Sequence, residues 1–273
     1  MTRFLNDKDF NDFKTMIYDA SGIFFSDSNA TILESRLKDR LRKMNIETPA
    51  EYYRYIKQNE GELKVLLDSV TTNLTRFFRN TAHFQTFENH VIPDLVEYKR
   101  KSGNKTIRLW SAGCSTGEEP YSLAMVFKEV LPADIKFEIT ASDLSLQSLM
   151  TAKEGFYADN RMNGVPEKYL GRYFEKKDGG YRVKDEIRNL VKFDYHNLKF
   201  DSGQKDLDLI FCRNVIIYFD EAAQQAVIDK FWSSLNRHSF LFIGHSESLF
   251  GMKTEFEFLK TDWACIYRKF KDL

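Results

Sequence analysis

Cysteine is scarce in this sequence: Cys114, Cys212 and Cys265 are the only three, widely spaced and odd in number. No Cys-x-x-Cys and no Cys/His cluster occurs, so the ligand spacing of a zinc site is missing and no metal is expected. Such cysteine usage fits a reducing, cytosolic setting. Net charge is also missing, with 40 Lys and Arg against 40 Asp and Glu. A chain that lives on nucleic acid usually carries a basic excess, which argues against that partner. No apolar run approaches the length of a membrane span. The opening residues Met1-Thr2-Arg3-Phe4-Leu5-Asn6-Asp7-Lys8 turn polar at once, and no signal peptide is expected there. Internal repeats and low-complexity tracts are absent.

What remains is a chain of 273 residues, 42% hydrophobic and 29% charged, the composition of an ordinary globular protein. Its length suits one large domain, or one plus a small one. Phenylalanine is abundant, at 24 residues, and most of it is expected in the core.

Periodicity divides the chain. From Asn6 to about Asn73 it reads as helices. Phe10, Phe13 and Ile17 recur at helical spacing, as do Leu33, Leu37, Leu41 and Met44, then Leu63, Leu66, Leu67 and Val70. A further amphipathic helix spans Thr81 to Tyr98, and Lys99-Arg100-Lys101-Ser102-Gly103-Asn104-Lys105 reads as a solvated break. After Thr106, short apolar runs at Ile107–Ala112, Phe137–Ala141, Leu190–Phe193, Leu207–Cys212 and Phe240–Ile243 alternate with helical stretches at Tyr121–Val130, Leu146–Ala152 and Ala222–Leu235. That alternation predicts an α/β domain with a mostly parallel sheet. The last run, Ala264–Tyr267, follows Glu255–Leu259 too closely for a helical crossover, so an antiparallel final hairpin is predicted. Together these features predict a class I methyltransferase-like sheet preceded by a small all-α domain. Tyr173 to Lys184, with Asp178-Gly179-Gly180 at its turn, predicts a small inserted β-hairpin.

Chemistry concentrates in Leu109-Trp110-Ser111-Ala112-Gly113-Cys114-Ser115-Thr116-Gly117-Glu118-Glu119-Pro120-Tyr121-Ser122, a strand, a small-residue loop and the acidic first turn of a helix. Glycines there let backbone approach a nucleoside-bearing cofactor. The loop lacks a Gly-Lys-Ser/Thr ending, which removes support for nucleoside triphosphate hydrolysis, and it lacks a full Gly-x-Gly-x-x-Gly, which weakens an NAD reading. A carboxylate at Glu118 would repel a pyrophosphate and suit a cationic cofactor. Both acids also favour a helix N-terminus, and Thr116 with Glu119 fits a capping box. Asp143 closes the next strand, where an acid either accepts ribose hydroxyls or caps the following helix. Asn197-Leu198 and Arg213-Asn214 follow later strands, at the carboxyl ends where open α/β sheets bind ligands. Arg213 and Asn214 interrupt an apolar run and need partners of their own. Thr71–Asn80 reads as a linker anchored by Phe77 and Phe78. The helix Ile32–Met44 is locally basic, with Arg36, Lys38, Arg40, Arg42 and Lys43 against Glu34 and Asp39, which is either a solvated face or a match for an acidic partner.

These motifs resemble the chemotaxis-receptor glutamate O-methyltransferase family, the S-adenosylmethionine-dependent CheR enzymes. The resemblance rests on Asn73-Leu74-Thr75 with Phe77-Phe78-Arg79, on Trp110–Ala112 with Cys114–Ser122, on Ala141-Ser142-Asp143, on Phe211–Val215 with Ile217-Tyr218-Phe219, and on Gly244-His245-Ser246-Glu247. It implies a helical receptor-docking domain over 1–72, an interdomain segment over 73–105, and a cofactor-binding methyltransferase domain over 106–273 with its hairpin insertion at about 172–188. Asn73, Thr75 and Arg79 are implied to reach the cofactor from the interdomain segment. Ala112, Gly113, Glu118 and Asp143 would line the pocket from the first two strands, and Asn197, Leu198, Asn214 and Val215 from later ones. Arg79 and Tyr218 would face the transferring methyl and the incoming carboxylate. Arg36, Arg40 and Arg42 would dock on the chemoreceptor's cytoplasmic helical bundle. The compact hairpin turn at Lys177–Gly180 leads us to expect direct binding to those helices, without a receptor-tail pentapeptide. A cytoplasmic monomer with neither nucleic-acid partner nor membrane insertion is expected. An NAD-dependent oxidoreductase, a non-catalytic receptor adaptor, and a related methyltransferase serving a receptor-like protein outside motility are the alternatives.

Overall fold

The computed structural model describes residues 4–71 and 73–270. The chain divides into two compact units. One holds the residues up to 72 together with Tyr218–Gln224, and the other holds Asn73–Ile217 with Gln225 onward.

The first unit carries helices α1 (Asp7–Ser21), α2 (Ala30–Met44), α3 (Pro49–Lys57) and α4 (Glu60–Val70). Their ends follow local chemistry. The Asn6 side chain accepts from Asp9 N–H at 2.8 Å, and Thr48 and Glu51 form a reciprocal capping box in front of Pro49. Most of the predicted periodic positions face inward: Phe10, Phe13 and Ile17, then Leu33, Leu37 and Leu41, then Leu66, Leu67 and Val70 are buried, while Met44 and Leu63 are half-buried. Arg40 departs from the basic outer face expected of it. Its guanidinium donates to Glu62 from Nε at 3.0 Å and from Nη2 at 2.6 Å, beside a Tyr52 hydroxyl that donates to the same oxygen. Arg36 and Arg42 are exposed.

The second unit begins with α5 (Thr81–Thr86), a π-helical turn over Phe87–Val91, and α6 (Ile92–Ser102). Strand β1 (Thr106–Ala112), α7 (Glu118–Val130), β2 (Lys136–Asp143) and α8 (Leu146–Glu154) follow. Then come β3 (Phe156–Ala158), α9 (Glu167–Tyr173), β4 (Phe174–Lys177), β5 (Gly180–Val183) and α10 (Asp185–Arg188). The chain ends with β6 (Val191–Tyr195), β7 (Leu207–Cys212), α11 (Glu221–Ser234), β8 (Leu235–Ile243), β9 (Glu257–Lys260) and β10 (Cys265–Phe270). A seven-stranded sheet runs β6-β2-β1-β7-β8-β10-β9. It is parallel from β6 to β8, and β10 then pairs antiparallel with both β8 and β9. This is the class I methyltransferase-like arrangement with its antiparallel end. The predicted hairpin forms as β4 and β5, and β3 joins it in a separate three-stranded sheet that periodicity did not reveal.

The expected solvated break begins later than Lys99: residues 100–105 are exposed and the helix stops before Gly103, but Lys99 itself is buried. Helix α6 continues to Ser102, and Lys99 shares its inward face with Leu95 and Val96. Its Nζ lies 2.8 Å from Asp208 Oδ1, with the two side chains 3% and 0% exposed. Among the described residues no helix is long and apolar enough to cross a membrane.

Candidate functional site

A parallel sheet brings the carboxyl ends of its strands to one edge, and the loops leaving those ends build the site. Gly113 follows β1, Asp143 ends β2, Asn197 follows β6, and Asn214 and Val215 follow β7. Gly113 and Cys114 N–H both donate to Ser142 C=O, at 2.8 and 2.9 Å, which turns the loop after Ala112 across β2. Gly113 has φ +82°, and a Cβ there would lie 2.4 Å from Val215 Cγ2. Only glycine allows the β1 and β7 loops to meet. Gly113→Ala combines that clash with an unfavourable φ. Loss of about 1–3 kcal/mol of stability is expected in denaturant unfolding.

Asp143 does not cap α8. The Ser145 side chain does that, accepting from Ser148 N–H at 3.0 Å. The Asp143 carboxylate accepts instead from Ser115 N–H at 2.7 Å and Ser145 N–H at 2.8 Å, while its carbonyl accepts from His196 N–H at 3.1 Å. It therefore ties the ends of β1, β2 and β6 together at the crevice. Asn197 is buried and accepts from Lys199 N–H at 3.0 Å, and Leu198 is buried beside it. Next to them His196 leaves Nε2 buried without a hydrogen-bond partner among the described residues, its ring 5.7 Å from that of Trp110. Burial, and then nearby Lys230, holds this imidazole below the usual histidine range.

The expected Thr116–Glu119 capping box is replaced by two separate devices. Glu118 is fully buried, accepts from Thr116 Oγ1 at 2.7 Å and pairs with the Arg161 guanidinium. Burial raises its pKa, and Arg161 opposes that rise. Sequence reasoning missed Arg161. It lies in a short turn with no motif of its own, and only the fold carries it to Glu118. Glu119 turns the other way. It accepts from Ser111 Oγ at 2.7 Å and from Arg213 Nε at 2.8 Å, both in the interior. The partner that Arg213 required is thus Glu119, together with the Arg79 carbonyl, which accepts from Arg213 Nη1 at 2.7 Å.

Arg79 is held by its neighbours. Phe78 at φ 51° and Asn80 at φ 65° adopt the left-handed conformation on either side of it, a strain of order 1 kcal/mol or more each that packing must offset. Phe78 stacks on Tyr169 at 4.7 Å, and its N–H donates to Ser122 Oγ at 3.0 Å. Phe77 sits edge-on to Tyr157 and Phe174, at 4.8 and 5.1 Å. The two phenylalanines are the anchors expected of them. The Arg79 guanidinium donates to Leu74 C=O at 2.8 Å and lines a recess of about 310 Å³ with Arg76, His83 and Asn214. His83 is pushed down to about 3 by burial and then by Arg213, so it is neutral there. Glu247 fixes the facing loop, accepting from Asn214 N–H at 2.8 Å, Val215 N–H at 3.0 Å and Ile217 N–H at 3.3 Å, and also from Gly244 N–H.

A second groove, of about 600 Å³, is lined by Asn73, Thr75 and Arg76 on one side and by Thr116, Ser148 and Arg161 on another. Among the expected residues, the second unit thus carries Asn73, Thr75 and Arg79 on its first segment, Ala112 and Asp143 as the last residues of β1 and β2, Glu118 as the first of α7, and Gly113, Asn197, Leu198, Asn214 and Val215 on the loops after the strands. Tyr218 belongs to the first unit. It ends the turn Ile216–Tyr218, and its carbonyl accepts from Phe24 N–H at 2.8 Å. Arg36, Arg40 and Arg42 are in the first unit as well.

These residues fit an adenosyl cofactor. The glycine cradle at Gly113, Asp143 at the end of β2, Glu118 at the start of α7, and a His196 nitrogen with no hydrogen-bond partner among the described residues offer close backbone approach and polar groups at the ligand-binding edge of the sheet.

Comparison with known proteins agrees. Residues 73–265 match the family model described as CheR methyltransferase, SAM binding domain, and residues 8–71 match CheR methyltransferase, all-alpha domain. A chemotaxis protein methyltransferase of Borreliella burgdorferi is 38% identical over 87% of this chain and 87% of its own length. Chemotaxis protein methyltransferase 2 of Vibrio cholerae is 34% identical over 90% of this chain and 87% of its own. The chemotaxis protein methyltransferase of Escherichia coli is 35% identical over 92% and 88%.

Proposed function

The chain belongs to the CheR methyltransferase family and uses S-adenosylmethionine as methyl donor, and we propose that its acceptors are glutamate side chains on the cytoplasmic helices of chemoreceptors, converted to methyl esters for adaptation in chemotaxis. The observation that carries this reading is Arg79: an arginine with a pinned backbone, at the rim of a recess beside the cofactor-binding edge.

When bound, S-adenosylmethionine supplies a methyl group on a cationic sulfonium. The chain's own task is positional. A glutamate carboxylate is already ionised near neutral pH and needs no general base. Arg79 receives it through charge-assisted hydrogen bonds, and the clamped backbone fixes where it points. Neutral His83 adds no competing charge to the recess. Glu118 and Asp143 hold the donor side, where Arg161 is the cation already paired with Glu118. Tyr218 is assigned its role at the methyl on the family resemblance alone, and Tyr218→Phe tests it by kcat.

Incubation with tritiated S-adenosylmethionine and receptor cytoplasmic fragments is expected to label the receptor, with the label released as volatile methanol on mild base. Label that survives base, or no transfer, would overturn the reading.

Docking is assigned to Arg36 and Arg42, since Arg40 is taken up by Glu62 and Tyr52. Arg42→Ala is expected to raise the KM for receptor several-fold without changing the melting temperature. Arg40→Ala instead leaves Glu62 with the Tyr52 hydroxyl but without its charged partner, and is expected to lower unfolding free energy by about 1–3 kcal/mol. Binding is direct, by a cytoplasmic monomer. The edge strand β4 carries Glu175, Lys176 and Lys177, with Lys177 paired to Glu175 at 2.7 Å, and charged edges of this kind resist strand addition by a receptor tail.

A further inference from the structure

Beside the Arg79 recess lies a second cavity of about 560 Å³ that the chemistry above does not use. Asn80, His83, Gly244 and His245 line both spaces, so they share a wall. The far side of the second space is apolar: Phe258, Trp263, Cys265 and Tyr267 on the β9–β10 hairpin. Phe258 is 62% exposed and Trp263 39% exposed, on a sheet whose other large side chains are mostly buried. The hairpin is well fixed. Phe258 packs edge-on to Tyr267 at 5.8 Å, and the Tyr267 hydroxyl accepts from Leu249 N–H at 3.0 Å. Exposed aromatic surface held this firmly, next to a reaction site, is the form of a binding subsite.

We infer that this aromatic recess receives an apolar side chain of the substrate helix, one turn from the glutamate held at Arg79. The inference rests on the reading that the acceptor is a glutamate on a helix. The occupant follows from the two joined spaces. One is lined by arginines and fits a carboxylate, and the other is aromatic and fits an apolar group. On an α-helix, residues three or four apart lie about 5–6 Å from each other on one face. An amphipathic helix can therefore fill both at once, in the helix-in-groove mode. The recess would select which glutamates are modified, because an acid without an apolar neighbour at that spacing leaves the aromatic surface wet.

The test uses the full chain and a receptor cytoplasmic fragment. Trp263→Ala and Phe258→Ser are each expected to lower kcat/KM for the fragment about tenfold, through KM, with the dissociation constant for S-adenosylhomocysteine unchanged. Replacing the apolar residue one turn from the acceptor glutamate by asparagine should cost the wild-type enzyme a similar factor and cost Trp263→Ala little more. Cys265 gives a second measurement without mutation. It is exposed, whereas Cys114 and Cys212 are buried, so N-ethylmaleimide reports on this recess alone. Saturating fragment should slow its labelling about tenfold, and S-adenosylhomocysteine alone should not. Methylation by wild type with unchanged KM in both variants and no protection of Cys265 overturns the docking site and leaves the reaction standing. Protection of Cys265 without methyl transfer overturns the reaction and supports the docking site. Neither transfer nor protection overturns both.

Discussion

Arg79→Ala is expected to lower the turnover of methyl transfer to receptor about a hundred- to a thousandfold, the loss typical of removing one preorganised charge-stabilising group from an active site. Initial rates at saturating receptor and S-adenosylmethionine measure it. The effect should fall on kcat more than on affinity for S-adenosylhomocysteine, because the side chain orients the acceptor. Arg79→Lys keeps the charge and loses the planar fork, so it should recover only part of the rate. The fold should survive both changes. The left-handed residues Phe78 and Asn80 remain pinned by Tyr169, Ser122 and the Arg213 contact to the residue-79 carbonyl, none of which needs the Arg79 side chain. A melting temperature shifted by no more than a few degrees is the control. Turnover within tenfold of wild type would remove Arg79 from the reaction.

The same segment shows what sequence could and could not give. Asn73 to Asn80 announced itself by composition, and the Phe pair was legible as an anchor. The left-handed backbone around Arg79 was not, because it is imposed by stacking partners such as Tyr169, ninety residues away in the chain. The sheet was legible almost strand by strand, since buried parallel strands are continuous apolar runs. Strand β3 escaped because three residues, Phe156–Ala158, are too few to show a period. Charged residues proved hardest. Glu119 looked like a helix-start acid and is the interior partner of Arg213, while Lys99 sat in a basic stretch that read as solvated and Arg40 in one that read as a solvated face or a match for an acidic partner. A buried ion pair is invisible in one dimension, because each half is ordinary alone and only the fold brings the halves together.

Lys99→Met carries the largest expected effect on stability. The substitution keeps the length and apolar stem of the side chain but strands Asp208, which is 0% exposed. Removing one partner of a buried pair typically costs about 3–5 kcal/mol, measured by denaturant unfolding near neutral pH. Two remaining partners soften but do not cancel this: Arg108 N–H donates to Asp208 at 2.8 Å, and the Asn236 amide donates to the other oxygen. The pH dependence has a definite sign. Burial already raises the Asp208 pKa in the native protein, with Lys99 as the largest opposing influence. Without Lys99 the native pKa rises further, while the unfolded value stays near that of a free aspartate, about 3.9. Between those two values the native state binds the extra proton, so stability falls as pH rises. Lys99→Met should therefore regain stability relative to wild type as the pH is lowered from 8 toward 5, about the range over which a strongly raised carboxyl takes up its proton. The double variant Lys99→Met/Asp208→Asn, which leaves neither charge of this pair, should remove that pH dependence and recover part of the loss. A deficit in Lys99→Met that does not change with pH would mean that Asp208 is hydrated or otherwise compensated, and that the ion pair is not what holds α6 against β7.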